Sequence, residues 1–97
     1  MTDFELNKAL ALAIGYKPEH ARQLTSSEVI YVFHDTNWLI FQFTDWNVIG
    51  PIAEKYNAFP DRCGHGWAAA VGNSLLTWAE ADTAQKAIAM AVIGGVI

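Results

Sequence analysis

Charge, basic residues and cysteine are all scarce in this chain. Only 16% of its 97 residues are charged, whereas about a quarter is usual for soluble domains. Six Lys and Arg stand against ten Asp and Glu, which gives a formal net charge of −4. A protein that binds the nucleic-acid backbone needs a basic stripe, so we expect no nucleic-acid partner. The single cysteine, Cys63, cannot form an internal disulfide, and this favours a cytoplasmic protein.

Long apolar runs and targeting signals are missing as well. The longest apolar stretch, residues 87–97, has 11 residues, and a helix that spans a bilayer needs about 20. The first residues are acidic and lack the basic and apolar regions of a signal peptide. We therefore expect a cytoplasmic chain with no membrane partner.

The most informative segment is residues 28–43, EVIYVFHDTNWLIFQF, where two apolar runs flank the turn residues Asp35-Thr36-Asn37. Neighbouring residues of a strand point to opposite faces, and in both runs both faces are apolar. A sheet that is apolar on both faces has to be covered on both faces. The pattern predicts a central β-hairpin with helices shielding its two sides.

Three segments have helical patterns. Residues 2–14 carry an apolar stripe at helical spacing, and Thr2 and Glu5 have the spacing of a capping box. Residues 45–57 predict a second helix with a kink or a short 3₁₀ entry before Pro51. Residues 84–93 predict a third helix that Gly94-Gly95 stops.

The remaining segments complete the predicted fold. Residues 16–27 are expected to form a loop or a short helical turn from Pro18, and residues 58–66 a turn-rich loop. A second hairpin follows, with its reversal at Gly72-Asn73. The fold class is therefore α+β: one α/β/α-sandwich domain over residues 1–97, with a mainly antiparallel four-stranded sheet, helices on both faces and the order α-β-β-α-β-β-α.

Few residues suggest chemistry. Cys63, His65, His20 and His34 are zinc-binding types, but Cys-Gly-His is not the spacing of a zinc-finger half-site. His34 and Asp35 could act with a hydroxyl nucleophile, yet Asp35 is also a usual turn residue. Among the carboxylates, only Glu80 lacks a local structural role. We expect no catalytic, cofactor-binding or metal-binding residues, and therefore no enzyme and no cofactor.

Four tryptophans are many for this length. They could form a stacking platform for bases or sugars, but large rings filling a core or an interface are the preferred interpretation. Trp67 and Trp78 are expected to pair across the second hairpin. The last helix is apolar on more than one face, which indicates that it packs against two neighbours. The interface candidates are Trp46, Trp67, Met90, Ile93, Val96 and Ile97.

Three motifs carry a family resemblance: the opening MTDFELNKALALAIGY, the central DWNVIGPIAEKYN, and a tail in which GNSLLTWAEAD leads into TAQKAIAMAVI. The chain resembles small phage and prophage proteins, namely the NinX-like group and the related phage α/β/α-sandwich domain. The resemblance implies an accessory protein with a three-layer sandwich, made in the bacterial cytoplasm. It implies no catalytic residues.

Two hypotheses follow for function. The first is a non-enzymatic interaction protein, a homodimer that also binds a host or phage protein. The alternative is a binder of a small ligand or nucleotide derivative, or a hydrolase, that uses the 58–66 loop, where Asp61, Arg62, Cys63 and His65 lie beside Trp67.

Overall fold

The computed structural model describes residues 2–23, 30–72 and 74–96. Within them the chain forms three α-helices and two three-stranded antiparallel sheets. In chain order the elements are α1 (Asp3–Ala13), β1 (Ala21–Gln23), β2 (Ile30–His34), β3 (Asn37–Phe41), α2 (Trp46–Tyr56), β4 (Asp61–Cys63), β5 (Gly66–Ala69), β6 (Ala79–Ala81) and α3 (Ala84–Val96). Short 3₁₀ turns lie at Pro18–His20 and Leu75–Thr77.

Local signals set the ends of the first two helices. The Thr2 side chain accepts the backbone N–H of Glu5, and the Glu5 carboxylate accepts that of Thr2, both at 3.1 Å, so the predicted capping box is confirmed. At the start of α2 the Asp45 carboxylate accepts the N–H of Asn47 at 2.9 Å. The predicted 3₁₀ entry to α2 is wrong, because the helix is continuous through Pro51.

The prediction of one four-stranded sheet is wrong. The strand order is β1-β2-β3 in one sheet and β4-β5-β6 in the other. Each sheet contains a three-residue strand where a loop was predicted, ARQ in β1 and DRC in β4. Three polar residues are too few to show an alternating pattern. These strands form because their backbones hydrogen-bond to the neighbouring strand. The observed order is α-β-β-β-α-β-β-β-α.

Among the described residues, elements cover the first sheet on one face only. Its inner face includes Ile30, Val32 and Phe41, which are buried, and the sheet contacts α1 through β1 and β2. On the outer face Trp38 and Ile40 are exposed. The prediction that helices shield both sides of this hairpin is therefore wrong. Residues 28 and 29 of the predicted hairpin lie outside the described residues.

The second sheet packs its Trp67, Ala69, Ala79 and Ala81 side against the core, where β5 and β6 contact α3. Trp67 lies opposite Ala81 in the register, so the predicted pairing of Trp67 with Trp78 is wrong. The predicted second hairpin is confirmed, since β5 and β6 pair antiparallel, but its connection is longer than predicted, because a 3₁₀ turn at Leu75–Thr77 separates the two strands. Asn73 lies outside the described residues.

Helix α3 is the centre of the molecule. It contacts α1, α2, β5 and β6, and it contributes several fully buried residues to one core: Ala87, Ile88, Ala89, Ala91 and Val92. The Cα radius of gyration is 13.0 Å, which matches about 13 Å for one domain of about 100 residues. Helix α1 packs against the first sheet, α3 packs against the second sheet, and α2 packs against α3, so that a small α+β domain results.

The prediction that Gly94-Gly95 stops the last helix is wrong, since α3 continues to Val96. A Cβ atom at Gly95 would lie 2.7 Å from Cγ2 of Val71 and 3.2 Å from Cγ2 of Thr77. Gly95 therefore lets the last turn of α3 approach the segment between β5 and β6. In the described part of the chain no helix has the length and apolar content to cross a membrane.

Candidate functional site

The outer face of the first sheet is aromatic and open to solvent. The strand register places Arg22, Tyr31 and Ile40 in one row, and Phe33 beside Trp38 in the next. Trp38 is 45% exposed and Ile40 55% exposed. We call these five residues the aromatic face. Exposed apolar patches of this kind mark binding surfaces more often than isolated exposed side chains do.

The rings of the aromatic face pack on one another. The centroids of Phe33 and Trp38 lie 5.2 Å apart, and those of His20 and Phe33 lie 5.5 Å apart. The Arg22 guanidinium lies 5.6 Å from the Trp38 ring centroid, and its Nε–H donates to the carbonyl of Glu19 at 3.0 Å. These contacts order the side chains before any partner arrives, which lowers the entropy lost on binding.

A shallow groove runs over this surface. It has a volume of about 430 Å³ and is lined by Arg22, Gln23, Tyr31 and Trp38. Trp, Tyr and Arg are the residues most enriched among binding hot spots, because each combines a large apolar area with a polar group. The groove can therefore receive an apolar side chain and offer it an adjacent cation.

The turn between β2 and β3 fixes the register of this surface. Asp35 and Thr36 have φ angles of +48° and +68°, which is the type I′ pattern of a two-residue hairpin loop. Asn37, predicted as part of the turn, instead pairs with His34 as the first residue of β3. The register that this turn sets places Trp38 beside Phe33 on the outer face.

Strand β3 also forms an edge of its sheet. Among the described residues only β2 pairs with it. Four of its five residues are exposed, and Leu39, on the inner side, is 48% exposed. Uncovered edge strands are templates for pairing with another strand, and natural proteins usually protect them with charged residues. Strand β3 contains no charged residue.

A polar cluster lies at the turn of the hairpin. The hydroxyl of Tyr16 is 3.4 Å from Nδ1 of His34, whose Nε2 is 3.3 Å from the Asp35 carboxylate. Tyr16 and His34 line a cavity of about 470 Å³ that Lys55 also lines. Burial, and then the negative charge of Asp35, raise the pKa of the Tyr16 phenol. The phenol therefore keeps its proton, which disfavours a role as a base.

The hydroxyl that lies nearest to this pair in the sequence is engaged in the turn, since Thr36 donates its hydroxyl to the backbone carbonyl of Asp35. The structure thus joins His34 to Asp35, as the sequence suggested, but its hydrogen bonds join that pair to Tyr16.

The segment predicted as a 58–66 loop contains strand β4 and a turn at Gly64 and His65 that leads into β5. The Cys63 thiol donates to the Glu80 carboxylate at 2.9 Å. This hydrogen bond, then burial and the negative charge of Glu80, raise the pKa of the thiol. Glu80 thus has the structural partner that the sequence did not show. In the ranges that the structure describes, no three His, Cys, Asp or Glu side chains form a metal-binding group.

The interface residues predicted from the sequence do not belong to the aromatic face. Trp46 and Met90 are exposed, whereas Trp67 and Ile93 are half-buried and pack against the core. Val96 belongs to the last turn of α3, and Ile97 lies outside the described residues. The apolar faces of α3 indicated more than one packing neighbour, and this helix contacts α1, α2 and the second sheet. That these six residues form an interface stays a prediction.

Sequence reasoning missed the aromatic face, although its signal was present. The alternation places Tyr31 and Phe33 on one side of the first strand, and Trp38 and Ile40 on one side of the second. The observed register shows that these two sides are the same face of the sheet. That side was interpreted as a second buried face.

Comparison with protein-family models, curated proteins and solved structures gives no match for this chain.

Proposed function

We propose that the chain is a non-enzymatic interaction module that binds another protein through the aromatic face. The observation that carries this proposal is the packing of Trp38 against both Phe33 and Arg22 on the solvent-exposed face of the first sheet. Such a surface is apolar enough to gain from burial and already ordered. Following the resemblance to phage and prophage proteins, the partner is a phage or bacterial protein.

A photo-reactive residue tests this assignment. A benzophenone side chain at position 38, in bacteria that express the chain, is expected to yield one discrete crosslinked species with a protein other than a second copy of this chain. Position 46 is the comparison, because Trp46 is one of the interface residues predicted from the sequence and is also a solvent-exposed tryptophan, 52% against 45%, but belongs to α2 and not to the aromatic face. Crosslinking at position 46 alone, or at neither position, would contradict the proposal.

The partner identified in this way allows a quantitative check. Trp38→Ala is expected to weaken its binding by about 30-fold or more, since a hot-spot truncation costs about 2 kcal/mol or more. Trp46→Ala should leave the affinity unchanged. Equal effects of the two substitutions would show that the partner does not distinguish the aromatic face.

The alternative function, a ligand binder or hydrolase at residues 58–66, stays a prediction. A raised thiol pKa keeps Cys63 protonated near neutral pH, which makes it a weak nucleophile. A binding role has more room, because a cavity of about 310 Å³ lies beside β4 and is lined by Phe59, Asp61 and Trp78 among others. Thermal shifts with metabolites would favour it.

A further inference from the structure

We infer that β3 pairs with β3 of a second copy of this chain, so that two first sheets join into one six-stranded antiparallel sheet. This goes beyond the proposed function, since it concerns the edge of the sheet and not its aromatic face. It holds even if the aromatic face binds nothing. The occupant of the edge is argued from the hydrogen-bonding pattern, the charge and the side-chain order of β3.

The hydrogen-bonding pattern of β3 is self-complementary. In a two-residue hairpin the pair that flanks the turn, here His34 and Asn37, exchanges hydrogen bonds, and pairs then alternate along the ladder. The backbone groups of Asn37, Leu39 and Phe41 therefore point to β2. Those of Trp38 and Ile40 point to the free edge, where two strands related by a two-fold axis can share them.

A two-fold axis at Leu39 gives the matching register. Leu39 then faces the partner's Leu39, and Trp38 faces the partner's Ile40 with both backbone N–H and C=O groups exchanged. Each interface of this kind satisfies the edge groups of two residues in each copy. The pair at the axis is a non-hydrogen-bonded pair, in which the Cα atoms lie about 4.5 Å apart.

Charge favours a second copy at this edge although the chain is acidic. Residues 36–44 contain no charged side chain. In the register centred on Leu39 the paired residues are those of β3, Asn37–Phe41, so that no two acidic side chains are opposed across the new ladder. Like charges directly opposite each other would be destabilising, and none arises here.

Side-chain order gives the third argument. Apolar cross-strand pairs stabilise a ladder, and Trp38 beside the partner's Ile40 is such a pair. The row Arg22–Tyr31–Ile40 then continues into the partner's Trp38 and Phe33. Two separate aromatic faces become one continuous surface, whereas a register shifted by one residue would place these side chains on opposite sides.

Cysteine crosslinking tests the pairing and its register together. In a Cys63→Ser background, Leu39→Cys is expected to form a disulfide-linked dimer under mild oxidation, because the axis pair lies within disulfide range. Ile40→Cys is the matched control. Its two copies are offset by two residues, about 8 Å between Cα atoms, and lie beyond that range. Sedimentation of the unsubstituted chain should show a dimer.

Each outcome decides the inference. A monomer in sedimentation, equal crosslinking at positions 39 and 40, or crosslinking at 40 alone would overturn it. Sedimentation keeps the test valid if a cysteine variant misfolds. A monomer that still crosslinks a second protein through position 38 would overturn the dimer and leave the proposed function standing. A dimer in which position 38 crosslinks the second copy alone, and no other protein, would do the reverse.

Discussion

Thr36 occupies a backbone conformation that favours glycine. Its φ of +68° is in the left-handed region, which costs a non-glycine residue about 1–2 kcal/mol, and a β-branched side chain adds to the strain. Asp35 tolerates its own φ of +48° better, because Asp and Asn enter this region more readily than other side chains. The strain is retained at the turn that sets the register of the aromatic face.

Thr36→Gly is therefore expected to stabilise the fold by about 1 kcal/mol, after the greater flexibility of glycine in the unfolded chain is subtracted. Urea unfolding followed by tryptophan fluorescence measures the change. Thr44→Gly is the control, since Thr44 is also exposed but does not have a positive φ. A loss of stability in Thr36→Gly would show that the left-handed turn is not the conformation in solution.

Among individual residues, the sequence predicted those whose partners are close in the chain. Thr2 and Glu5 cap each other across three residues, and their roles were clear from spacing. Asn7 was not predicted to have any role, yet its side-chain oxygen accepts the N–H of Phe43 at 2.8 Å in the core. That hydrogen bond spans 36 residues, so no local pattern indicates it.

At the scale of elements, the two glycines near the end of α3 have different environments. Nothing lies within 4 Å of a Cβ built at Gly94, whereas one at Gly95 would clash with Val71. Sequence reasoning treated the pair as a stop signal because glycine is the usual residue after a helix end. Packing against the segment between β5 and β6 outweighs the poor helix propensity of glycine.

We expect opposite results from alanine at these two positions. Gly94→Ala should stabilise the protein by about 0.5–1 kcal/mol through helix propensity, and Gly95→Ala should destabilise it by about 1–3 kcal/mol through overpacking. Thermal unfolding of both variants and of the unsubstituted chain gives the comparison. Similar changes in the two variants would contradict the close approach of α3 to Val71.

Whole elements were predictable where a long periodic pattern existed. Helices α1 and α2 and the hairpin of β2 and β3 were predicted within a few residues, since each carries strong apolar periodicity. Strands β1 and β4 have three residues each, too few for any period. The missed strands changed the predicted sheet of four strands into two sheets of three.

At the scale of the whole molecule, more of the apolar hairpin is exposed to solvent than was predicted. The two-faced hairpin was expected to be covered by helices on both sides, but only its inner face meets the core. The outer face and the β3 edge leave apolar area for other chains. Sequence alone shows that a face is apolar, and it does not show whether the covering element belongs to the same molecule.

Leu39→Lys is expected to raise the dimer dissociation constant at least tenfold, because the two-fold axis would place the lysines of both copies directly opposite each other. Leu76→Lys makes the same change in charge at a leucine that is 98% exposed on a 3₁₀ turn. It should leave the dissociation constant unchanged. Sedimentation equilibrium measures both, and equal weakening would point to net charge as the cause in place of the β3 edge.

The central position of α3 also has a consequence for synthesis. Because this last helix contacts α1, α2 and the second sheet, the shared core cannot close until residues 84–96 have left the ribosome. Until then the nascent hairpin of β2 and β3 lacks its final packing and exposes both of its apolar faces to water. Chaperone dependence during translation should therefore fall sharply once those thirteen residues emerge.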